Sequence, residues 1–412
     1  MVRKGDMMIH GSWRALAWIG IAELCALSLW FSASVIAPEL IQAWKLNSSA
    51  EAWLSASVPI GFVLGAFISS YFGIADRFNP RKVLAVSAFL GALLNISLIL
   101  VDHAFFGILL RILTGVSLAG VYPVAVKILS QWFPKKRGLA MGILIASLTL
   151  GSSLPHFIVM FFSSLNWQFV IICSSILALL AAIIVNWVVE DAPVKTKKLP
   201  FSFQLIKKVV ANKPVMLANY GYFGHMWELY AMWTWFPIFL TASFTSYSPG
   251  ISPWFIALSS FVTIGIAGGM GCVIGGVVSD KIGRANLTII SMLISGICCI
   301  LIGFTFGESI WFTLILSIIW GMSVIADSAQ FSAAVSEVAE VEYVGTALTF
   351  QMCIGFLITI FSINLVPIIQ RVIGWEWVFA CLAIGPILGI VSMIRYKQHE
   401  LNQVKAAAGY YK

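Results

Sequence analysis

Apolar stretches of roughly 20 residues alternate with short polar connections along the whole chain, each long enough to cross about 30 Å of hydrocarbon. Twelve such stretches can be read, the first six at residues 13–38, 51–72, 83–101, 105–130, 138–163 and 167–189. The other six follow at 214–243, 253–279, 287–306, 310–335, 345–371 and 375–395. Lipid offers no partner to open backbone groups, and barrel strands would alternate in polarity, so these stretches are expected to be helices. The pattern predicts an all-α membrane protein of twelve transmembrane helices in two six-helix bundles. The expected boundaries are 1–190 for the first bundle, 191–213 for a basic, proline-containing linker, 214–396 for the second bundle and 397–412 for a tail.

Composition points the same way. Of 412 residues, 60% are hydrophobic and only 10% charged, and the mean hydropathy is +0.96. A soluble globule of this length has too few charged residues here to cover its surface. The net charge of +8 raises nucleic acid as a partner, but the distribution argues against it. Lys and Arg gather between particular spans, at Arg77, Arg81 and Lys82, at Lys135, Lys136 and Arg137, over 195–213, and at Lys281 and Arg284. The intervening connections at 101–104, 163–166 and 307–309 contain none. This is the positive-inside pattern, which makes the basic connections and both termini cytoplasmic in a multi-pass inner (plasma) membrane protein. The seven cysteines all fall within apolar runs and have no metal-ligand spacing, so neither disulfide nor metal site is expected. Arg3, Lys4 and Arg14 precede the first span, which reads as uncleaved because no small-residue cleavage site follows it.

The two sets of six stretches correspond. Asp76-Arg77 after the second matches Asp280-Lys281 after the eighth, and Trp167 opening the sixth matches Trp375 opening the twelfth. Gly138 and Pro155 bracket the fifth as Gly345 and Pro367 bracket the eleventh. A six-plus-six parallel duplication joined by a long loop is an architecture of alternating-access transporters, with the site between the halves. With these residues in view, the chain resembles the major facilitator superfamily over its whole length. The superfamily's signature between the second and third helices of each half is similar to Gly276, Asp280, Lys281, Gly283 and Arg284 in the second half. The first half reads Phe72, Asp76, Arg77, Asn79, Pro80 and Arg81; Asn79 stands where the second half has Gly283, and Asn tolerates the left-handed conformation. An acid and a base cluster at this helix junction are expected to latch the two halves, as a cytoplasmic gate.

A finer likeness lies in Arg111, Gly115, Gly120, Tyr122-Pro123 and Lys127, followed by Trp132, Arg137-Gly138, Gly142, Gly151 and Pro155-His156. This resembles bacterial porters grouped with the cyanate and nitrate/nitrite permeases. Nitrate porters carry an arginine in their second and eighth helices, and neither span has one here, so nitrate is not the expected solute. The Gly-Pro pair typical of the fifth helix of drug/proton antiporters is missing too.

Ionisable groups within lipid cost roughly 2.5–3.5 kcal/mol each on insertion scales, so they are functional candidates by default. They are Glu23, Arg111, Lys127, His156, His225, Glu228 and Asp327. In the superfamily's arrangement spans one, four, seven and ten line the central cavity, and most of these groups lie on them. Arg111 can grip a carboxylate or phosphate with its planar fork, or pair with Glu23 near the outer face. Lys127 either contacts an anionic substrate or snorkels to the cytoplasmic side. Glu23, Glu228 and Asp327 are candidate proton carriers, the alternative being permanent pairing with a basic residue. His225 and Glu228, three apart on one helix face, are adjacent enough to relay a proton. Tyr222, Trp227 and Gln330 are further candidate substrate contacts, and Trp233, Trp235 and Trp254 read as an interfacial aromatic belt.

The expected function is secondary active transport, by proton-coupled symport of a small organic anion or zwitterion. The alternatives are a proton-coupled exporter of an amphipathic metabolite, drug or siderophore-like compound and, in another class, a non-transporting sensor or intramembrane enzyme. The sequence has no nucleophile elbow, phosphate-binding glycine loop or paired metal ligands, so no enzyme activity, cofactor or metal is expected. The expected partners are a small-molecule substrate, protons and the lipid bilayer, with the chain acting as a monomer.

Overall fold

The computed structural model describes residues 2–45, 48–133, 137–162, 166–192, 203–340 and 342–409. Lys135, Lys136 and residues 193–202 of the linker lie outside the described residues, and the side chains of Asp76 and Arg137 are likewise not described. The first six long helices are α1 (Val2–Leu27), α2 (Ser48–Tyr71), α3 (Pro80–Leu100), α4 (Ala104–Trp132), α5 (Arg137–Phe162) and α6 (Gln168–Trp187). The other six are α7 (Lys213–Tyr247), α8 (Pro253–Ile282), α9 (Arg284–Thr305), α10 (Ile310–Val338), α11 (Val344–Ile373) and α12 (Trp375–Asn402). No strand occurs among the described residues. Among the described residues, nine of these helices, α3 to α6 and α8 to α12, are long and apolar enough to cross a bilayer. In α2 the comparable apolar stretch is the shorter Ala56–Tyr71.

Local chemistry sets several ends. Asn79 caps α3 by accepting hydrogen bonds from the backbone N–H of Arg81 and Lys82, and Asn212 caps α7 from Val215. Pro80, Pro214 and Pro253 sit in the first turns of their helices, where an amide N–H has no intrahelical partner to lose. Asn79 has φ −60°, so it does not take the left-handed conformation anticipated for it. That conformation falls instead on Gly73 (φ +61°), six residues earlier, while Gly283 takes a positive φ (+84°) in the second half.

Packing repeats between the halves. α1 lies against α5 and α6, α2 against α4, and α3 against α4 and α6; in the same way α7 lies against α11 and α12, α8 against α10, and α9 against α10 and α12. Two seams join the halves, α5 with α8 and α2 with α11. Within the first half, α2 and α4 cross at bare backbone. A methyl group on Gly61 would run into the Ile112 carbonyl, and one on Gly115 into the Val58 carbonyl. Gly61→Ala must therefore push these helices apart. We expect a melting temperature lowered by an amount corresponding to about 1–3 kcal/mol, the usual cost of overpacking, measured on the detergent-solubilised protein.

Trp233 and Trp235 are buried, at 1% and 5% exposure, rather than part of an interfacial belt. Trp233 stacks edge-on to Tyr230 and Phe31, and the Trp235 indole N–H donates to the Ile363 carbonyl. Both project inward because α7 is packed on nearly all sides; Trp254, at the start of α8, is exposed.

Candidate functional site

Helices α4 and α10, which occupy equivalent places in the two halves, are both broken midway. The α4 helix is interrupted between Leu118 and Tyr122, and α10 at Asp327. Breaks of this kind free backbone groups and turn the following residues towards a cavity. Tyr122 and Ser328, the first residues past each break, both line a central cavity of about 40 Å³, enough for no more than a few water molecules. Its wall is apolar and aromatic with hydroxyl-bearing groups set into it: Tyr122, Tyr222, Tyr230, Ser328 and Ser332.

One side of the cavity is roofed by rings from α2, α7 and α11 and from the turn that follows α1, so from both halves. Trp30 lies 5.3 Å from Tyr230, 5.5 Å from Phe62 and 5.7 Å from Phe356, and Phe62 meets Phe356 at 4.5 Å. Tilted and edge-on aromatic pairs of this sort add about 0.5–1.5 kcal/mol each beyond burial. The roof thus welds α1 and α2 to α7 and α11.

Three acids are buried around this centre, each in a different condition. Glu23 on α1 is fully buried, and neither carboxylate oxygen has a hydrogen-bond partner among the described residues. Asp327 lies at the α10 break with Oδ1 2.9 Å from His225 Nδ1, both side chains 1% exposed. The imidazole stacks beside Phe331 and lies 6.0 Å from the ring of Tyr222, a cavity wall residue. Glu228 is saturated: Oε1 accepts from Trp320 Nε1 (2.6 Å) and Cys299 Sγ (3.1 Å), and Oε2 from Ser295 Oγ (2.9 Å). Three donors fix it as an acceptor joining α7 to α9 and α10. Glu228→Leu would leave all three donors without their acceptor. The expected cost is about 1–3 kcal/mol, read as a lowered melting temperature, with Glu228→Asp also impaired because it cannot reach all three donors.

At the end carrying the basic connections, Asp280 reaches the other half. Its carboxylate lies against Gly138 at the start of α5, 3.1 Å from where a Cβ would stand. A carboxylate at a helix N-terminus is stabilised by the open N–H groups and the helix dipole. Gly276, Gly138 and Gly142 make room for this seam by bringing the α5 and α8 backbones close. Ser70 Oγ and Thr349 Oγ1, 2.9 Å apart, join α2 to α11 at the same end.

The sequence profile of the Major Facilitator Superfamily matches residues 19–363 and 265–409. The chain belongs to the Major Facilitator Superfamily. Its fold resembles the crystal structure of a mutant form of the nucleoside transporter NupG, with a TM-score of 0.72 over 93% of this chain and 99% of that one, at 13% identity. Among curated relatives it is 25% identical over 186 residues to the gallate transporter of Pseudomonas putida, covering 43% of this chain and 41% of that protein. It is 23% identical over 212 residues to the niacin transporter NiaP of Acinetobacter baylyi, covering 46% of each. The chain thus spans less than half the length of either relative in these matches. Helices long and apolar enough to cross a bilayer, in a chain of this superfamily, make it a multi-pass membrane protein.

Within this superfamily fold the residues singled out from sequence separate into distinct places. Tyr222 lines the cavity. Arg111, Lys127, His225, Trp227 and Gln330 are not among the lining residues. Arg111 donates to the Trp30 carbonyl, Ser32 and Asn95 rather than facing the cavity or Glu23. Lys127 is buried at 6% exposure, so its side chain does not snorkel out to water. The Trp227 indole donates to the Cys381 carbonyl on α12, and Gln330 accepts from Arg284 Nη1 (2.8 Å). His225 faces Asp327 across helices, while the oxygens of Glu228 take the three donors named above.

The junction residues divide similarly. Arg81 holds the end of its own half, donating to the Val189 carbonyl (2.7 Å) and pairing with Asp191 (3.1 Å). Arg284 pairs with Glu337 at 2.7 Å, also within its half. Arg77 and Lys281 are exposed. Sequence reasoning missed Phe62 and Phe356, since an aromatic residue in an apolar span carries no signal by itself, whereas Tyr230 belongs to the aromatic run of span seven expected to wall an organic substrate. It also missed Asn95 and Ser32, polar groups in apolar runs, which could have been found on that ground.

Proposed function

We propose that this chain is a proton-coupled secondary transporter that carries a small, flat organic acid inward by alternating access. The observation that carries the proposal is the cavity between α1, α4, α7 and α10, walled by aromatic rings and hydroxyls beside an unpartnered buried acid, Glu23. Rings accept a planar solute by stacking, and hydroxyls of Tyr122, Tyr222 and Tyr230 are suited to donate to a carboxylate. The named solutes of two relatives, gallate and niacin, are small aromatic compounds bearing a carboxyl group, which favours the same class here.

In this reading residues 1–190 and 214–396 act as two rigid halves, with the basic connections and both termini in the cytoplasm of a plasma-membrane protein. The roof of Trp30, Tyr230 and Phe356 is then the outer gate, and the seam around Asp280 and Gly138 the inner one. A cavity of about 40 Å³ cannot hold an aromatic acid, so the halves part to admit it and close behind it. Binding of one proton with the anion keeps the loaded centre neutral while it is shut off from water.

A thermal-shift screen of the purified protein tests the substrate class. Nicotinate, gallate and non-aromatic carboxylates of equal size are compared with amphipathic quaternary ammonium compounds at two pH values. Stabilisation by the aromatic acids, lost in Tyr222→Ala, is the expected result. Stabilisation by the amphipathic cations alone would overturn uptake of an organic acid and favour export.

A further inference from the structure

Arg111 is an anomalous cation. It is 1% exposed, and every partner of its guanidinium among the described residues is a neutral oxygen. Nη1 donates to Ser32 Oγ (3.1 Å) and Asn95 Oδ1 (3.0 Å), and Nη2 to the backbone carbonyl of Trp30. Nε has no partner among the described residues. Two of these acceptors, the Trp30 carbonyl and Ser32, belong to one place, the point where α1 has ended at Leu27 and the chain turns through residues 28–31 into Ser32; Asn95, on α3, also accepts from Ser32 Oγ (2.8 Å). Carbonyls past a helix end have lost their intrahelical donors and must be satisfied otherwise. Arg111 does so from α4, and its other acceptor is tied further: Asn95 Nδ2 donates to Ser175 Oγ (3.0 Å) and the Ile171 carbonyl (3.3 Å) on α6. The turn is thus fastened to three helices of its own half.

The residue whose carbonyl is gripped is the one whose ring forms the roof. The Trp30 indole meets Tyr230 and Phe356 of the other half, and its neighbour Phe31 lies 6.1 Å from Trp233. We propose that Arg111 is a positioning residue of this gate: its fork fixes the unwound end of α1 so that Trp30 and Phe31 close on α7 and α11. The charge, uncompensated where it sits, is used as a strong donor to backbone rather than as a site for an anion. Loosening it frees Trp30 and Phe31 from the positions in which they meet Tyr230, Phe356 and Trp233, so the closed roof loses contacts and the open state gains population. Which face the roof closes rests on the reading above; the existence of the gate does not.

The test reads the gate without transport. Met226 lines the cavity beneath the roof, so Met226→Cys reports access to it, against the parent chain with its native cysteines as background. A membrane-impermeant maleimide is added to vesicles from the roof side, and the rate of labelling is measured. Arg111→Gln and Ser32→Ala are each expected to raise that rate, Arg111→Gln by about tenfold, one decade in the open-to-closed ratio. Arg111→Lys should fall between parent and Gln, since a point charge cannot replace the fork. If Arg111→Gln is not recovered folded, Ser32→Ala and Asn95→Ala carry the test with the same expectation. Unchanged labelling in a folded variant overturns the proposal. Where transport is measurable, the gate role lowers the apparent KM for solute outside along with Vmax, whereas an anion clamp raises KM and leaves labelling unchanged. Failure to transport any organic acid would sink the function proposed above while leaving the labelling result to stand or fall alone.

Discussion

Glu23→Gln is expected to abolish accumulation against a gradient while leaving solute exchange across the membrane intact. Glu23 is fully buried in the first half with no partner for either oxygen among the described residues. An ionised carboxylate left so would cost several kcal/mol, so the neutral acid is the form that this packing accommodates. In the proton-coupled transport proposed here, the proton is taken up on one side and given up on the other, as the wall around α1 and α4 opens. Glutamine copies the neutral acid in size and hydrogen-bonding shape but cannot release a proton. One proton moved down a gradient of one pH unit supports about tenfold accumulation, each decade being ~1.4 kcal/mol, and the variant should lose all of it. Counterflow of labelled against unlabelled solute should continue at a rate within a few-fold of the parent. Accumulation by Glu23→Gln at the parental level would remove Glu23 from the coupling step.

The second large effect concerns His225 and Asp327. Their 2.9 Å contact, at 1% exposure on both sides, joins α7 to the break in α10 just behind the cavity wall. Removing one member of a buried polar contact leaves the other without a partner, at a typical cost of about 1–3 kcal/mol. His225→Gln and Asp327→Asn should each lower the melting temperature strongly and reduce transport at least about tenfold. The double variant His225→Gln/Asp327→Asn should be more stable than either single one, because it leaves no orphaned partner. A double-mutant cycle measures this directly, with a coupling energy of a few kcal/mol expected. Additive losses would mean that the two residues act separately.

Much of the fold could be read from the chain because lipid leaves so few choices. Apolar length, the places of Lys and Arg, and the paired Asp76 and Asp280 motifs are one-dimensional signals. The helix breaks at 119–121 and Asp327 had only faint local signals: Gly120 and Pro123, whose ring nitrogen has no N–H for the carbonyl four residues back, mark the first, and the polar Asp327 and Ser328 sit at the second. The site was legible in part. Buried ionisable residues pointed to spans one, four, seven and ten, but not to which group faces which. His225 and Glu228, three apart on one helix, invite pairing; in the fold they meet different helices, Asp327 on α10 for one and Trp320, Ser295 and Cys299 for the other. Arg111 carries the right chemistry for an anion, yet the end of α1, some 80 positions earlier in the chain, claims its fork through the Trp30 carbonyl. A partner that is a backbone carbonyl leaves no mark in a sequence.

The most direct test of proton-coupled transport is uptake of radiolabelled nicotinate or gallate by proteoliposomes with an imposed pH gradient, alkaline inside. Accumulation above the outside concentration, collapsing when a protonophore is added and absent from liposomes containing Glu23→Gln, is the expected result. Uptake that only equilibrates, unchanged by the protonophore, or no uptake of any organic acid by protein that folds and binds, would contradict it.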